Sequence, residues 1–106
     1  MEAGNMEEKQ IYTINQIKMR ISPILKEYGV RKATLFGSYS QGKATEKSDI
    51  DLLIDSGLQG LKFVGLIEDL RTAVEKTVDV LDISHIQEGT EIESEIKRTG
   101  VLIYEK

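Results

Sequence analysis

Two strand-length runs separated by one helix-length stripe constrain this 106-residue chain more than any other feature. In the first, Ser48 to Asp55, the period of a β-strand puts Ile50, Leu52 and Ile54 on one face and Asp49 and Asp51 on the other. Thr77 to Ile83 is a second strand, in which Asp79, Leu81 and Ile83 share one face and Val78, Val80 and Asp82 the other. Between the two lies a turn, Ser56-Gly57-Leu58-Gln59-Gly60, and then Phe63, Leu66, Ile67, Leu70 and Val74 recur at helical spacing. A helix of that length is what a crossover connection requires. The expected fold class is therefore α/β, with a small mixed β-sheet flanked by helices.

The remaining segments fit around that unit. Lys32 to Phe36 reads as another strand. Before it, Thr13 is placed as an N-cap with Gln16 three residues on, and Ile14, Ile17, Ile21, Ile24, Leu25 and Tyr28 form a helical stripe closed by Gly29. Pro23 lies inside that stripe, where the missing N–H predicts a kink or break over residues 19–22. Glu88 to Thr99 reads as a short helix ended by Gly100, and Val101 to Tyr104 as an edge strand or a docking surface. The single histidine, His85, follows a strand and reads as a turn residue.

At this length the chain forms one domain with a modest core. No apolar run approaches the ~20 residues that span a bilayer, and the acidic first ten residues have no signal-peptide core, so a cytoplasmic location is expected. The absence of cysteine excludes a disulfide framework and thiolate-ligated zinc but leaves oxygen-ligated metals open. A net charge of −4 disfavours an extended nucleic-acid surface. A nucleotide and a protein are the expected partners, with no membrane.

The chemistry concentrates between Leu35 and Asp55. Asp49 and Asp51 share a strand face, and two such carboxylates repel by up to about 4 kcal/mol at ~4 Å and an effective dielectric of ~20. Acids at strand entrances are common and by themselves indicate only solvation. Gly37-Ser38, ending the preceding strand, adds a second element: backbone N–H groups and a hydroxyl able to approach phosphate. A short helix starting at Tyr39 would aim its dipole at the same place. Phosphate cradle and acids then converge on one pocket, where magnesium would bridge carboxylate and phosphate oxygens.

Gly37-Ser38, ten intervening residues and Asp49-Ile50-Asp51 followed by an apolar strand resemble the minimal nucleotidyltransferase family of the DNA polymerase beta-like superfamily. The likeness runs from about Ile14 to Tyr104, with residues 13–106 as the domain and residues 1–12 as a flexible arm. It implies that Asp49, Asp51 and Asp79 are both catalytic residues and ligands of a two-magnesium site. Gly37, Ser38 and Lys43 would contact ATP, and the reaction would be AMP transfer. Because the chain carries no added substrate domain, the resemblance implies a protein acceptor: a tyrosine of a HEPN-type ribonuclease toxin, with this chain as its antitoxin and the two associating. The toxin's own Arg-to-His motif is absent, since no Arg lies within ten residues before His85. Gln41 stands where many members of the family have Arg, which puts full triphosphate affinity in question. A binding-only antitoxin and an oligomeric small-molecule nucleotidyltransferase are the competing expectations.

Overall fold

The computed structural model describes residues 11–106. Among the described residues its elements are α1 (Ile14–Glu27), β1 (Lys32–Phe36), β2 (Ile50–Asp55), α2 (Leu61–Val74), β3 (Val78–Asp82), a 3-10 turn (Ile83–His85), α3 (Glu91–Thr99) and β4 (Val101–Glu105). The four strands form one sheet in the order β3-β2-β1-β4. β1 runs antiparallel to both β2 and β4, while β2 and β3 are parallel. The mixed sheet is the one expected, with α2 as the crossover.

Local chemistry explains the boundaries of α1. Thr13 and Gln16 form a reciprocal capping box, with Gln16 N–H donating to Thr13 Oγ1 at 3.0 Å and Thr13 N–H to Gln16 Oε1 at 2.8 Å. At the other end Gly29 takes φ +73°, and Val30 and Gly29 donate to the carbonyls of Leu25 and Lys26, a Schellman closure. The helix continues unbroken through Pro23, contrary to the expected break. The carbonyl deprived of a donor belongs to Met19, whose residue is 71% exposed, so water can satisfy it.

The core lies between the sheet and the α1–α2 pair. Ile17, Ile21 and Leu25 of α1 and Leu66, Leu70 and Val74 of α2 are completely or almost completely buried against Leu35, Ile50, Leu52 and Ile54. Each such side chain contributes roughly 1.5–3 kcal/mol by leaving water. Most of the arm expected over residues 1–12 lies outside the described residues, but Tyr12 does not behave as an arm. It is 4% exposed, belongs to the core cluster, and donates its hydroxyl to the Val74 carbonyl at 2.7 Å. Because the α1–α2 layer covers one sheet face, the side chains of Asp51 and Asp79 project from the other. The acids are thereby gathered where the N-terminal ends of β2 and β3 meet the C-terminal end of β1.

Candidate active site

Parallel pairing sets Asp51 directly beside Asp79 in register, so the two segments carrying the expected acids meet at one point. Asp51 is half-buried, whereas Asp49 and Asp79 are exposed. The Asp51 carboxyl is pushed up to about 6, first by burial, then by the charges of Asp79, Asp49 and Glu95, and further by a hydrogen bond with Asp79. Glu95, on α3, is a fourth acid of this cluster that strand periodicity could not reveal. Its only sequence signal is its position three residues after Ile92 and one before Ile96, the apolar pair of α3.

The Gly37-Ser38 turn has a second duty besides approaching phosphate. Gly37 is buried with φ +78°, and a Cβ added there would overlap Oδ2 of Asp51. A side chain at 37 would thus be strained by its backbone and would push the central acid out of place. Residues 37–42 form successive turns, not the short helix expected from Tyr39. Ser40 Oγ, at 2.8 Å, and Gln41 Nε2, at 3.3 Å, both donate to the Gly37 carbonyl, while Gln41 and Lys43 N–H groups fold back onto the Ser38 carbonyl. This side-chain capture competes with helical hydrogen bonding, and Gly42, at φ +72°, closes the turn. The N–H groups of Ser38, Tyr39 and Ser40 make no backbone hydrogen bond among the described residues, leaving donors for an anion. Lys43 is exposed on the same loop.

Among the described residues no three acids form a ready-made metal-binding group. Asp51 and Asp79 are register partners on adjacent strands, and the charges of Asp79, Asp49 and Glu95 all act on Asp51. The donors are all hard carboxylate oxygens, and the raised Asp51 carboxyl marks a place where negative charge is crowded. This donor set fits magnesium.

Asp82, at the far end of β3, is the fully buried acid among the described residues. It is 3% exposed. Its Oδ1 accepts from the N–H and hydroxyl of Ser56, at 3.1 and 2.7 Å, and its Oδ2 from the N–H and hydroxyl of Ser84, at 3.0 and 2.8 Å. Burial pushes this carboxyl up, yet the combined hydrogen bonds from Ser84 and Ser56 outweigh it and leave the pKa below the ordinary value. His85 likewise takes no part in the acidic cluster, its ring meeting Phe63 edge to face with centroids 6.2 Å apart.

Fold and acids together place the chain among the nucleotidyltransferases. Residues 19–106 match the family described as Polymerase beta, Nucleotidyltransferase, and the chain belongs to that family. It is 41% identical over 76 residues to a Methanocaldococcus jannaschii protein named "Putative protein adenylyltransferase MJ0435", covering 69% of this chain and 81% of that one. It is 35% identical over 83 residues to "Protein adenylyltransferase MntA" of Thermococcus cleftensis, covering 73% and 84% respectively. Among solved structures, a crystal structure of a toxin-antitoxin with AMP-PNP superposes with a TM-score of 0.72 at 25% identity, over 84% of this chain and 73% of that chain. No helix among the described residues is long and apolar enough to cross a membrane.

Proposed function

We propose that this chain transfers AMP from ATP to a tyrosine hydroxyl of a HEPN-type ribonuclease toxin and is that toxin's antitoxin. The observation that carries this reading is the registered pair Asp51 and Asp79, on adjacent parallel strands beside the Gly37 turn. Relatives named protein adenylyltransferases support it, as does the structural likeness to a toxin-antitoxin with AMP-PNP, an analogue of ATP. The protein would work in the cytoplasm, where ATP and magnesium are supplied.

In this mechanism Asp49, Asp51 and Asp79 would hold two magnesium ions. When bound, the metal supplies charge neutralisation for an in-line displacement. The N–H groups of the 37–42 turn, the Ser38 hydroxyl and Lys43 orient the triphosphate. Asp79 accepts the proton as the acceptor O–H breaks and its oxygen bonds to the α-phosphorus. The bond from that phosphorus to the bridging oxygen breaks, and pyrophosphate leaves with the electron pair.

Mass spectrometry of the co-incubated toxin with ATP and magnesium tests the reading. The expected result is one or more added AMP groups with wild type and none with Asp49→Asn. A toxin that is silenced without gaining AMP would leave a binding-only antitoxin, the reading favoured by Gln41 in place of Arg.

A further inference from the structure

Of the three acids assigned to magnesium, Asp49 alone stands outside the strands. It lies just before β2, which begins at Ile50, and has no register partner on a neighbouring strand. What precedes it is a closed turn. Ser48 N–H donates to the Thr45 carbonyl at 3.0 Å, Thr45 N–H to Ser48 Oγ at 2.8 Å and Lys47 N–H to Thr45 Oγ1 at 3.2 Å. Such bonds make residues 45–48 one unit, so whatever holds that unit from outside also holds Asp49, the next residue. Among the described residues, the side-chain bond that reaches this turn from elsewhere comes from Lys76, whose Nζ donates to the Glu46 carbonyl at 2.9 Å. Lys76 is half-buried, unusual for a residue type that is mostly solvated.

The anchor is itself well held. Lys76 follows the end of α2, where Tyr12 Oη and Arg20 Nη1 donate to the carbonyls of Val74 and Ala73 at 2.7 and 3.0 Å. The Arg20 guanidinium also lies over the Tyr12 ring, 4.9 Å from its centroid. Glu75 then turns the chain with φ +55°, a left-handed conformation that no other non-glycine takes among the described residues. On the other side of Asp49, Ile50 N–H donates to the Thr77 carbonyl at 3.1 Å. Asp49 is thus bracketed by two tethers that lead to the adjacent residues Lys76 and Thr77. The first of them is charge-assisted and the stronger kind of bond.

We propose that Lys76 is a positioning residue for Asp49: its bond to the Glu46 carbonyl fixes the 45–48 turn and so keeps Asp49 at the end of the sheet where Asp51 and Asp79 stand. This assignment rests on the AMP-transfer reading, with Asp49 as a magnesium ligand, and adds the residue that holds that ligand in place. A purely electrostatic role for Lys76 is separable by sign. Lys76 and Asp49 line the same depression of about 570 Å³. By charge alone, removing a cation from that depression would tighten magnesium binding. Losing the anchor would weaken it, because a ligand free to move is no longer held in the binding geometry.

The test uses the full chain as wild type, Lys76→Met, Lys76→Arg and Lys62→Met, the last removing a lysine from the opposite end of α2. In metal-free protein, NMR order parameters of the 46–49 amides should fall in Lys76→Met from about 0.85 to about 0.6 or below, while Leu52, inside β2, stays near about 0.85. With intact toxin and saturating ATP, the magnesium concentration giving half-maximal AMP transfer should rise about three- to tenfold in Lys76→Met, and the rate at saturating magnesium should stay within about twofold of wild type. Lys76→Arg should restore both readouts, and Lys62→Met should match wild type in both. An unchanged or lowered magnesium requirement in Lys76→Met overturns the assignment. So do unchanged order parameters at 46–49, or a fall shared with Leu52, which marks general loosening. A wild-type chain that adds no AMP to the toxin at any magnesium concentration removes the AMP-transfer reading and this assignment with it, a result distinct from a wild type that transfers AMP and a Lys76→Met variant that behaves like it.

Discussion

Asp51 and Asp82 are the same residue type on neighbouring strands of one sheet, and their surroundings treat them in opposite ways. Asp82 is held on the core side by four hydrogen bonds from two serines, and its proton is lost more easily than usual. Asp51, on the other face, is half-buried among the charges of Asp79, Asp49 and Glu95, and its carboxyl is pushed up to about 6. The first is a finished structural joint between the segments carrying Ser56 and Ser84. On the proposed function, the second is completed by a cation. Burial alone therefore says little about an acid's role, and the count of donors pointed at it says much.

The widest separation between the two should be in chemistry. Asp51→Asn is expected to reduce AMP transfer by ~10³-fold, the scale of losing several kcal/mol of metal-assisted charge stabilisation. Asp82→Asn should keep most activity per folded molecule. Equal losses, measured by quantitative mass spectrometry at matched folded concentrations, would erase the distinction.

Stability should separate them in the other direction. Asp82→Ala strands the donors of Ser56 and Ser84 and should destabilise the domain by ~2–4 kcal/mol, read by urea denaturation. In metal-free protein at pH 7, Asp51→Asn should instead stabilise by ~1–2 kcal/mol, after discounting the raised pKa for solvent screening. The pH dependence follows from the direction of the shift. Folded Asp51 keeps its proton up to about 6, while the unfolded chain loses it near the ordinary carboxylate pKa of ~3.9. Wild-type stability therefore falls as pH rises through that window, and the advantage of the asparagine variant should vanish near pH 4. Asp82, with its lowered pKa, contributes stability that is present above the ordinary carboxylate pKa and is lost as pH falls through its folded value.

How much of this contrast the sequence carries depends on the distance over which it is written. Asp51 and Asp79 could be placed on strand faces because alternation is local, whereas Asp49, expected on the same face, lies just before β2, which begins at Ile50; the Gly37-Ser38 spacing located the turn beside them. The parallel β2–α2–β3 unit was legible because its helix stripe had crossover length. Glu95 escaped because its meaning depends on where α3 crosses the sheet. Tyr12 escaped for the same reason: its hydroxyl bond reaches Val74, sixty-two residues away. The expected helix at Tyr39 failed on side-chain competition from Ser40 and Gln41, which a dipole argument about the backbone ignores. Pro23 was tolerated where the residue whose carbonyl it deprives of a donor, Met19, is largely exposed and water can reach it.

A smaller effect sharpens the site's other half. Gln41 folds onto the Gly37 carbonyl and adds no charge to the turn. Gln41→Arg should tighten ATP binding about three- to tenfold by calorimetry, the scale of one charge-assisted hydrogen bond. An unchanged affinity would mean that the loop lysines already supply the charge.

The most direct measurement is the pH titration of the Asp51 side-chain carbonyl carbon by NMR, with and without magnesium and ATP. A metal-free midpoint near 6 that falls by more than about one unit when both are added is the predicted result. A midpoint near the ordinary ~3.9 that ignores magnesium would contradict the assignment of Asp51 as the acid waiting for a cation.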